Sequence, residues 1–279
     1  CGSSVSGHQH IIAARTRMPV VPVDGAVALA AGHIYVAPPG ATLKVRDGAL
    51  IPEPQAAVDT RSPIDSFFSD LAQVAEHAAI GVILSGPGLD GARGLREIKS
   101  VGGITLTQDP ESAAHTSMPS AAIATGVVDL VATPARIAQE LQHIGRHPYV
   151  RPTGPRASDD PLIHQEQMHR IFTLLRNASG VDFTHYKPPT IRRRLQRRMV
   201  LHKLDNVELY IKLLREHPEE VTRLYQDLLI HVTHFFRDPD SFRVLMTDVF
   251  PRLLEHRRDG QPLRIWLPGC STGEEAYSL

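Results

Sequence analysis

Residues 79–108 read AIGVILSGPGLDGARGLREIKSVGGITLTQ. Ala79–Ser85 is a near-continuous apolar run rich in β-branched residues, as expected of a strand covered on both faces. Gly86–Gly91 is a glycine-rich loop. Ala92–Val101 then has helical character and ends at Gly102-Gly103, a common helix stop, before a second strand, Ile104–Gln108. A strand, a helix and a strand in this order require a crossover, so the two strands run parallel and the fold is α/β. The loop lies at the carboxyl end of the first strand, where open α/β sheets place ligands. Its one carboxylate is Asp90.

Working outward, Met18–Val23 and His33–Ala37 read as short strands, and Asp47-Gly48 sits between extended arms in Leu43–Ile51, a hairpin signal. Ser62 and Pro63 open a helix as N-cap and first residue, with Phe67, Phe68, Leu71, Val74 and Ala75 forming its apolar face to about His77. Downstream, a short helix from Met118-Pro119 to Ala124, a strand around Val127–Val131 and a helix over Pro134–Ile144 complete the unit. Arg146–Pro161, RHPYVRPTGPRASDDP, holds four prolines and no apolar period, which marks a linker. From Leu162 the pattern becomes helical, with Met168, Ile171, Leu174 and Leu175 on one face. Further helices follow at Ile191–Leu201, Val207–Leu214 and Glu219–Ile230.

Near the end, Leu263, Ile265 and Leu267 alternate with other residues before Gly269-Cys270-Ser271-Thr272-Gly273 and the acidic start of a helix: strand, tight loop, helix. Such a loop lets backbone approach a small ligand, while Glu274 or Glu275 accepts from hydroxyls or a charged amine. The pentapeptide also satisfies G-x-S-x-G, which would make Ser271 a hydrolase nucleophile. That elbow needs an acid and a histidine further on, and only six residues follow Gly273.

Composition narrows the classes. The 279 residues are 42% hydrophobic, ordinary for a globular chain of two domains, and Lys plus Arg equals Asp plus Glu at 30 each, so any charge recognition has to be local. Two distant cysteines, Cys1 and Cys270, point to a reducing, cytoplasmic compartment. The apolar runs are too short to cross a bilayer, and no metal-ligand set is read. His231 and His234 stand three apart without further ligands at metal spacing. The chain opens on Cys and stops at a helix start, so a fragment cut at both ends is expected. Between His185 and Leu204 lie Lys187, Arg192, Arg193, Arg194, Arg197, Arg198 and Lys203 with no acid, a basic helical stripe. No aromatic residues interleave with it, so nucleic acid is not the expected partner.

The segments SGPGLDGARGLREIK, GGITLTQDPESA and MPSAAIATG resemble the C-terminal part of the chemotaxis receptor methylesterase domain, CheB type, from about Arg15 to Ile144. The resemblance implies a Ser-His-Asp hydrolase of receptor glutamate methyl esters with Asp90 as the triad aspartate; without that context an Asp before a helix reads as a cap. The family's serine and histidine fall before or at the edge of Cys1, and His8 and His10 are read as surface residues. Pro87 stands where the family places a backbone N–H for the oxyanion, and proline has none.

LIHVTHFFRDPDSF (Leu229–Phe242), GCSTGEEAYS and DFTHYKPPTIRRRLQRRM resemble the chemoreceptor glutamate methyltransferases, CheR type, over roughly Gln167 to Leu279. This implies S-adenosylmethionine as cofactor, with Thr233, Arg237 and Glu275 lining its site. It also implies that the stripe Arg192, Arg193, Arg194, Arg197 and Arg198 docks on the acidic helical surface of a chemoreceptor. His231 stands where some members carry asparagine.

The expected organisation is therefore a partial parallel-sheet methylesterase-like domain (1–145), a linker (146–161), an all-α subdomain (162–256) and the first strand of a Rossmann-like methyltransferase domain (257–279). The function expected is reversible methylation of receptor glutamates, with little activity in residues 1–279 alone. The alternative is a non-catalytic signalling scaffold, an esterase-like domain without activity joined to a receptor-docking helical domain.

Overall fold

The computed structural model describes residues 7–54, 62–150, 163–229, 235–236, 239–255, 263–270 and 273–279. The chain divides into two compact units, one up to Leu229 and one from Ile230.

The first unit begins with a short helix, α1 (Gly7–Ala13), and small strands β1 (Val20–Pro22), β2 (Val27–Ala28), β3 (Ile34–Val36), β4 (Ala41–Arg46) and β5 (Ala49–Pro54). β1 pairs with β3 in parallel, and β2, β5 and β4 form an antiparallel sheet. The β4–β5 hairpin turns at Asp47 (φ 50°) and Gly48 (φ 73°), both left-handed as a tight two-residue turn requires. α2 (Pro63–Ala75) packs along this hairpin and buries Phe68 and Ala72.

The parallel sheet follows, in the order β6 (Ile80–Ile83), β7 (Ile104–Gln108), β8 (Leu130–Ala132), with α3 (Ala92–Ser100), α4 (Ser117–Ala124) and α5 (Pro134–Ile144) between and after. β7 is central and buried throughout. Its Ile104 and Leu106 enter the core, and its threonines are hydrogen-bonded as burial demands: Thr105 Oγ1 donates to the Val127 carbonyl at 2.6 Å and Thr107 Oγ1 to that of Ile83 at 3.2 Å. The third strand lies slightly later than the expected Val127–Val131.

Four helices then pack together: α6 (Gln165–Ser179), α7 (Pro188–Leu201), α8 (Val207–Glu216) and α9 (Pro218–Leu228). α6 ends at left-handed Gly180 (φ 74°), α7 and α9 start on proline, and the Asn206 side chain caps α8 through the Glu208 N–H at 2.8 Å. Ile171, Leu175, Phe183, Ile191, Leu195, Tyr210 and Leu224 form their shared core. Most of the expected linker, 151–161, lies outside the described residues. Its start does not: Tyr149 is buried with Ile104, Ile137 and Val200.

The second unit contains α10 (Pro239–Val244), a π-helical turn over Leu245–Val249, α11 (Phe250–Glu255) and α12 (Glu274–Ser278). Leu263–Leu267 forms no strand, contrary to the alternation in its sequence. A strand needs a neighbouring backbone to pair with, and among the described residues none lies beside this one.

Candidate functional site

The loop after β6 is held at its neck and open at its tip. The Ser85 N–H donates to Gln108 Oε1 at 2.9 Å, and the Gln108 amide in turn donates to the Ser112 carbonyl at 2.9 Å. From the other side His115 N–H donates to Ser85 Oγ (2.9 Å), and Met118 N–H to the Gly86 carbonyl (3.2 Å). Pro87, Gly88 and Leu89 are exposed at the tip. Pro87 therefore presents a ring where most residues would present an N–H donor.

Asp90 is fixed by the start of α2. Its Oδ2 accepts from the Ile64 N–H and its Oδ1 from the Asp65 N–H, each at 3.0 Å. These are two of the amides that a helix leaves unpaired in its first turn. Ser62, the expected N-cap, makes no side-chain cap bond; the carboxylate of Asp90 does that work from another part of the chain. The arrangement is reciprocal. Asp65, buried in the first turn of α2, accepts the Gly94 N–H of α3 at 2.6 Å. The loop before α3 supplies the carboxylate that completes the N-terminus of α2, and α2 supplies the one for α3; a negative charge there also suits the helix dipoles. The close approach requires a glycine: a Cβ on Gly94 would lie 2.6 Å from Phe68 Cβ and 3.0 Å from Asp65 Cα. Each Asp90 oxygen keeps a lone pair beyond its amide bond, so an oriented acceptor remains for an imidazole N–H. His10 is exposed on α1, and the His8 side chain lies outside the described residues.

The basic stripe is not a solvent face, which corrects the expectation for three of its five arginines. Arg194, Arg197 and Arg198 are buried. Arg197 is wholly enclosed: Nε donates to the Gly103 carbonyl at 2.9 Å, Nη1 to Asp227 at 2.6 Å and Nη2 to Asp129. Lys99 bridges the same two carboxylates, at 2.5 Å to Asp129 and 3.0 Å to Asp227. Arg194 donates to the carbonyls of Lys99 (2.9 Å) and Ser100 (2.6 Å) at the C-terminus of α3, the negative end of its dipole. Arg198 pairs with Glu220, which also accepts from Tyr210 Oη at 2.8 Å and lies 2.8 Å from His202 Nε2. The physical reason for the correction is pairing: acids on other elements neutralise Arg197 and Arg198, and the carbonyls at the end of α3 take the N–H groups of Arg194, so all three can be enclosed. Arg192 and Arg193 are partly exposed.

The electrostatics agree with the geometry. Burial alone would raise the Asp129 carboxyl, but Arg197 and Lys99 override it and hold Asp129 well below the usual carboxylate range. Burial likewise opposes the charge on Glu220, yet hydrogen bonds from His202 and Arg198 bring it down to about 2. Burial pushes the Tyr149 hydroxyl up to about 12; it donates to the Gly102 carbonyl at 2.7 Å. None of Lys99, Asp129, Glu220 and Asp227 was singled out by sequence reasoning. One signal was available: Asp129 interrupts the apolar run Val127–Val131, and an acid in such a run needs a buried partner.

In the second unit, Glu275 is exposed in the first turn of α12, next to Gly273 (φ 102°); Gly269 (φ 71°) has open space where a side chain would stand. Thr233, Arg237, His231, His234 and Ser271 lie outside the described residues. Among the described residues no group of three or more His, Cys, Asp or Glu is placed to hold a metal, and no helix is long and apolar enough to cross a membrane.

Three family models match in order along the chain: CheB methylesterase over residues 3–141, the all-alpha domain of CheR methyltransferase over 166–229 and the SAM binding domain of CheR over 231–279. The chain joins CheB-type and CheR-type domains. It is 37% identical over 290 aligned residues, 96% of this chain and 30% of the other, to an uncharacterized 104.1 kDa protein in the hypE 3′ region of Rhodobacter capsulatus. It is 42% identical over 105 residues, 36% of this chain and 30% of the other, to a protein-glutamate methylesterase/protein-glutamine glutaminase of Photorhabdus laumondii. Among solved structures it is similar to the CheB methylesterase catalytic domain of Thermotoga maritima, with 26% identity, a TM-score of 0.39 and coverage of 42% of this chain and 65% of that one. The chain thus spans about 30% of the length of both curated relatives. The CheB-type match falls on the α/β part that carries Asp90. The CheR-type matches fall on the helices α6–α9 and on the segment that carries Gly269, Gly273 and Glu275.

Proposed function

We propose that this chain belongs to a bifunctional enzyme of chemosensory signalling that adds and removes methyl groups on receptor glutamates. The observation that carries the reading is the order of the three domain matches in one chain. In the CheB-type domain Asp90 holds the imidazole of a histidine general base in one tautomer and orientation, as a triad carboxylate does. The reciprocal capping of α2 and α3 supports that role, because it fixes the carboxylate plane before any histidine docks. A serine activated by that histidine attacks the ester carbonyl, and methanol leaves with the proton the imidazole returns.

In the CheR-type domain the described residues fit S-adenosylmethionine: Gly269 leaves room for close backbone approach, and the exposed Glu275 carboxylate accepts from ligand hydroxyls. Thr233 and Arg237 would line the same site. When bound, that cofactor supplies an electrophilic methyl group, and the protein's contribution is alignment of a receptor carboxylate with it. The partner proposed is the cytoplasmic helical domain of a chemoreceptor, with Arg192 and Arg193 as the members of the stripe that keep partial exposure. Arg194, Arg197 and Arg198 are committed within the chain. The compartment proposed is the cytoplasm.

The test is a paired assay on the full-length gene product: methanol release from a methylated chemoreceptor and methyl transfer from labelled S-adenosylmethionine. Asp90→Ala is expected to abolish the first and spare the second. Loss of neither activity in Asp90→Ala sinks the triad assignment. Absence of both activities from the unaltered protein favours the second reading, a signalling scaffold, for which exposed Pro87 speaks because it removes one oxyanion donor.

A further inference from the structure

The CheB-type and CheR-type matches treat residues 3–141 and 166–229 as separate domains, yet the most enclosed ionic cluster described in the chain lies between them. Lys99 and Asp129 come from the α/β domain, Arg197 and Asp227 from the helical one, and their side chains are 6%, 1%, 0% and 6% exposed. The contact is built on backbone as well as charge. Arg194 takes the carbonyls of Lys99 and Ser100, Arg197 that of Gly103 and Tyr149 that of Gly102, so the C-terminal turn of α3 and its exit into β7 are satisfied from outside the α/β fold. Val200 of α7 packs into the same core as Ile104, Leu106 and Ile137. At the rim, Lys203 pairs with Glu140 of α5 at 2.9 Å.

We infer that the helical domain and the esterase-like domain form one permanent body, locked by this quartet, in which α7 braces α3 and α3 carries the brace to the loop that holds Asp90. Three features carry the inference. Separating the domains would leave Arg197 facing Asp227 alone and Asp129 facing Lys99 alone, and would strip partners from carbonyls at 99, 100, 102 and 103. Opening would also expose to water the apolar contact of Val200 with the core that holds Ile104, Leu106 and Ile137. The braced helix is short, nine residues, and its first turn carries Gly94, bonded to Asp65, whose own N–H holds Asp90. A loose attachment between independent domains would instead show exposed, unshared charges at the seam. The inference does not depend on the receptor reading, since it concerns only contacts within the chain.

The experiment is native-state hydrogen exchange on the full-length protein, comparing the unaltered protein with Arg197→Met, Arg194→Met and Arg223→Met, the last an exposed control on α9. The lock predicts that Arg197→Met speeds exchange at the Ile64, Asp65 and Gly94 amides by roughly tenfold to a hundredfold, and that Arg223→Met leaves them unchanged. Arg197→Lys, which keeps the charge but not the three-way fork, is expected to fall between. If Arg197→Met accelerates exchange only within α6–α9 and leaves those three amides at the unaltered rate, the domains are independent and the inference is overturned. Should Arg197→Met fail to fold, Arg194→Met decides, because it removes only the two bonds to the end of α3. Acceleration at Ile64, Asp65 and Gly94 supports the brace, and its absence refutes it.

Discussion

Glu220→Gln asks whether the buried ionic cluster of the helical domain contributes stability through charge or merely through shape. Glu220 is 2% exposed and accepts from Arg198, Tyr210 and His202. Its carboxyl ionises at about 2 instead of 4.5. At about 1.4 kcal/mol per pH unit, that difference corresponds to roughly 3 kcal/mol of stability from one ionised group. Because the folded value is depressed, the contribution is fully present above pH 4.5 and is lost as pH falls towards 2. Glutamine keeps the shape and one acceptor but aims an amide N–H₂ at a guanidinium. Urea unfolding followed by far-ultraviolet circular dichroism, repeated from pH 7 down to pH 3, measures the gap between the two proteins. The variant is expected to be about 3 kcal/mol less stable at neutral pH, with the gap reduced to roughly half near pH 3, where the carboxyl is protonated in the unfolded chain while the folded protein still holds it ionised. A gap that stays constant across this range would refute the reasoning, since a packing defect has no reason to follow the titration of a carboxyl group.

Gly94→Ala places a methyl group 2.6 Å from Phe68 Cβ, and is expected to destabilise by about 1–3 kcal/mol, read as a lower thermal midpoint. Pro87→Ala restores a backbone N–H at the loop tip; in the full-length protein ester hydrolysis is expected to rise by up to about 10²–10³ if that donor is missing from the oxyanion site. An unchanged rate would mean that another group already serves. Glu275→Gln is expected to weaken S-adenosylmethionine binding by roughly tenfold, measured by equilibrium dialysis, while an unaltered affinity removes Glu275 from the site.

The α/β half was legible because its signals are local. The β6–loop–α3–β7 unit follows from one apolar run, one glycine-rich loop and a double-glycine stop, and the β4–β5 turn from Asp47-Gly48 alone. The helical half was legible for the same reason, since α7, α8 and α9 carry their apolar residues at helical spacing. What failed to show was anything settled by residues distant in sequence. Ser62 has the right chemistry and position for an N-cap, yet Asp90 takes those amides from about one helix and one strand further along, and nothing local records the exchange. Leu263–Leu267 has strand alternation, but alternation states only which side chains share a face; it does not supply the neighbouring backbone. Asp90 itself was found from its motif, while the partners that fix it, Ile64, Asp65 and Gly94, were not.

The arginine stripe shows the same limit in its most consequential form. From sequence, Arg194, Arg197 and Arg198 on a helix without acids are a positive face awaiting a negative partner, and that much is right. The partner is in the chain. Asp129 lies 68 residues before Arg197 and Asp227 lies 30 after it, so no window of helical length contains the compensation. A guanidinium is tolerated inside a protein only when both its charge and its five N–H groups are answered. Here carboxylates answer the charge of Arg197 and Arg198, while Arg194 rests on the backbone carbonyls at the negative end of the α3 dipole, and the Gly103 carbonyl takes the remaining Arg197 N–H. The identity of a basic face is therefore fixed by which carbonyls and acids the tertiary fold sets opposite it. In this chain the fold sets the esterase-like domain opposite Arg194 and Arg197, so two residues that resemble a receptor-docking surface join its two domains, while Arg198 is tied to Glu220 within the helical one.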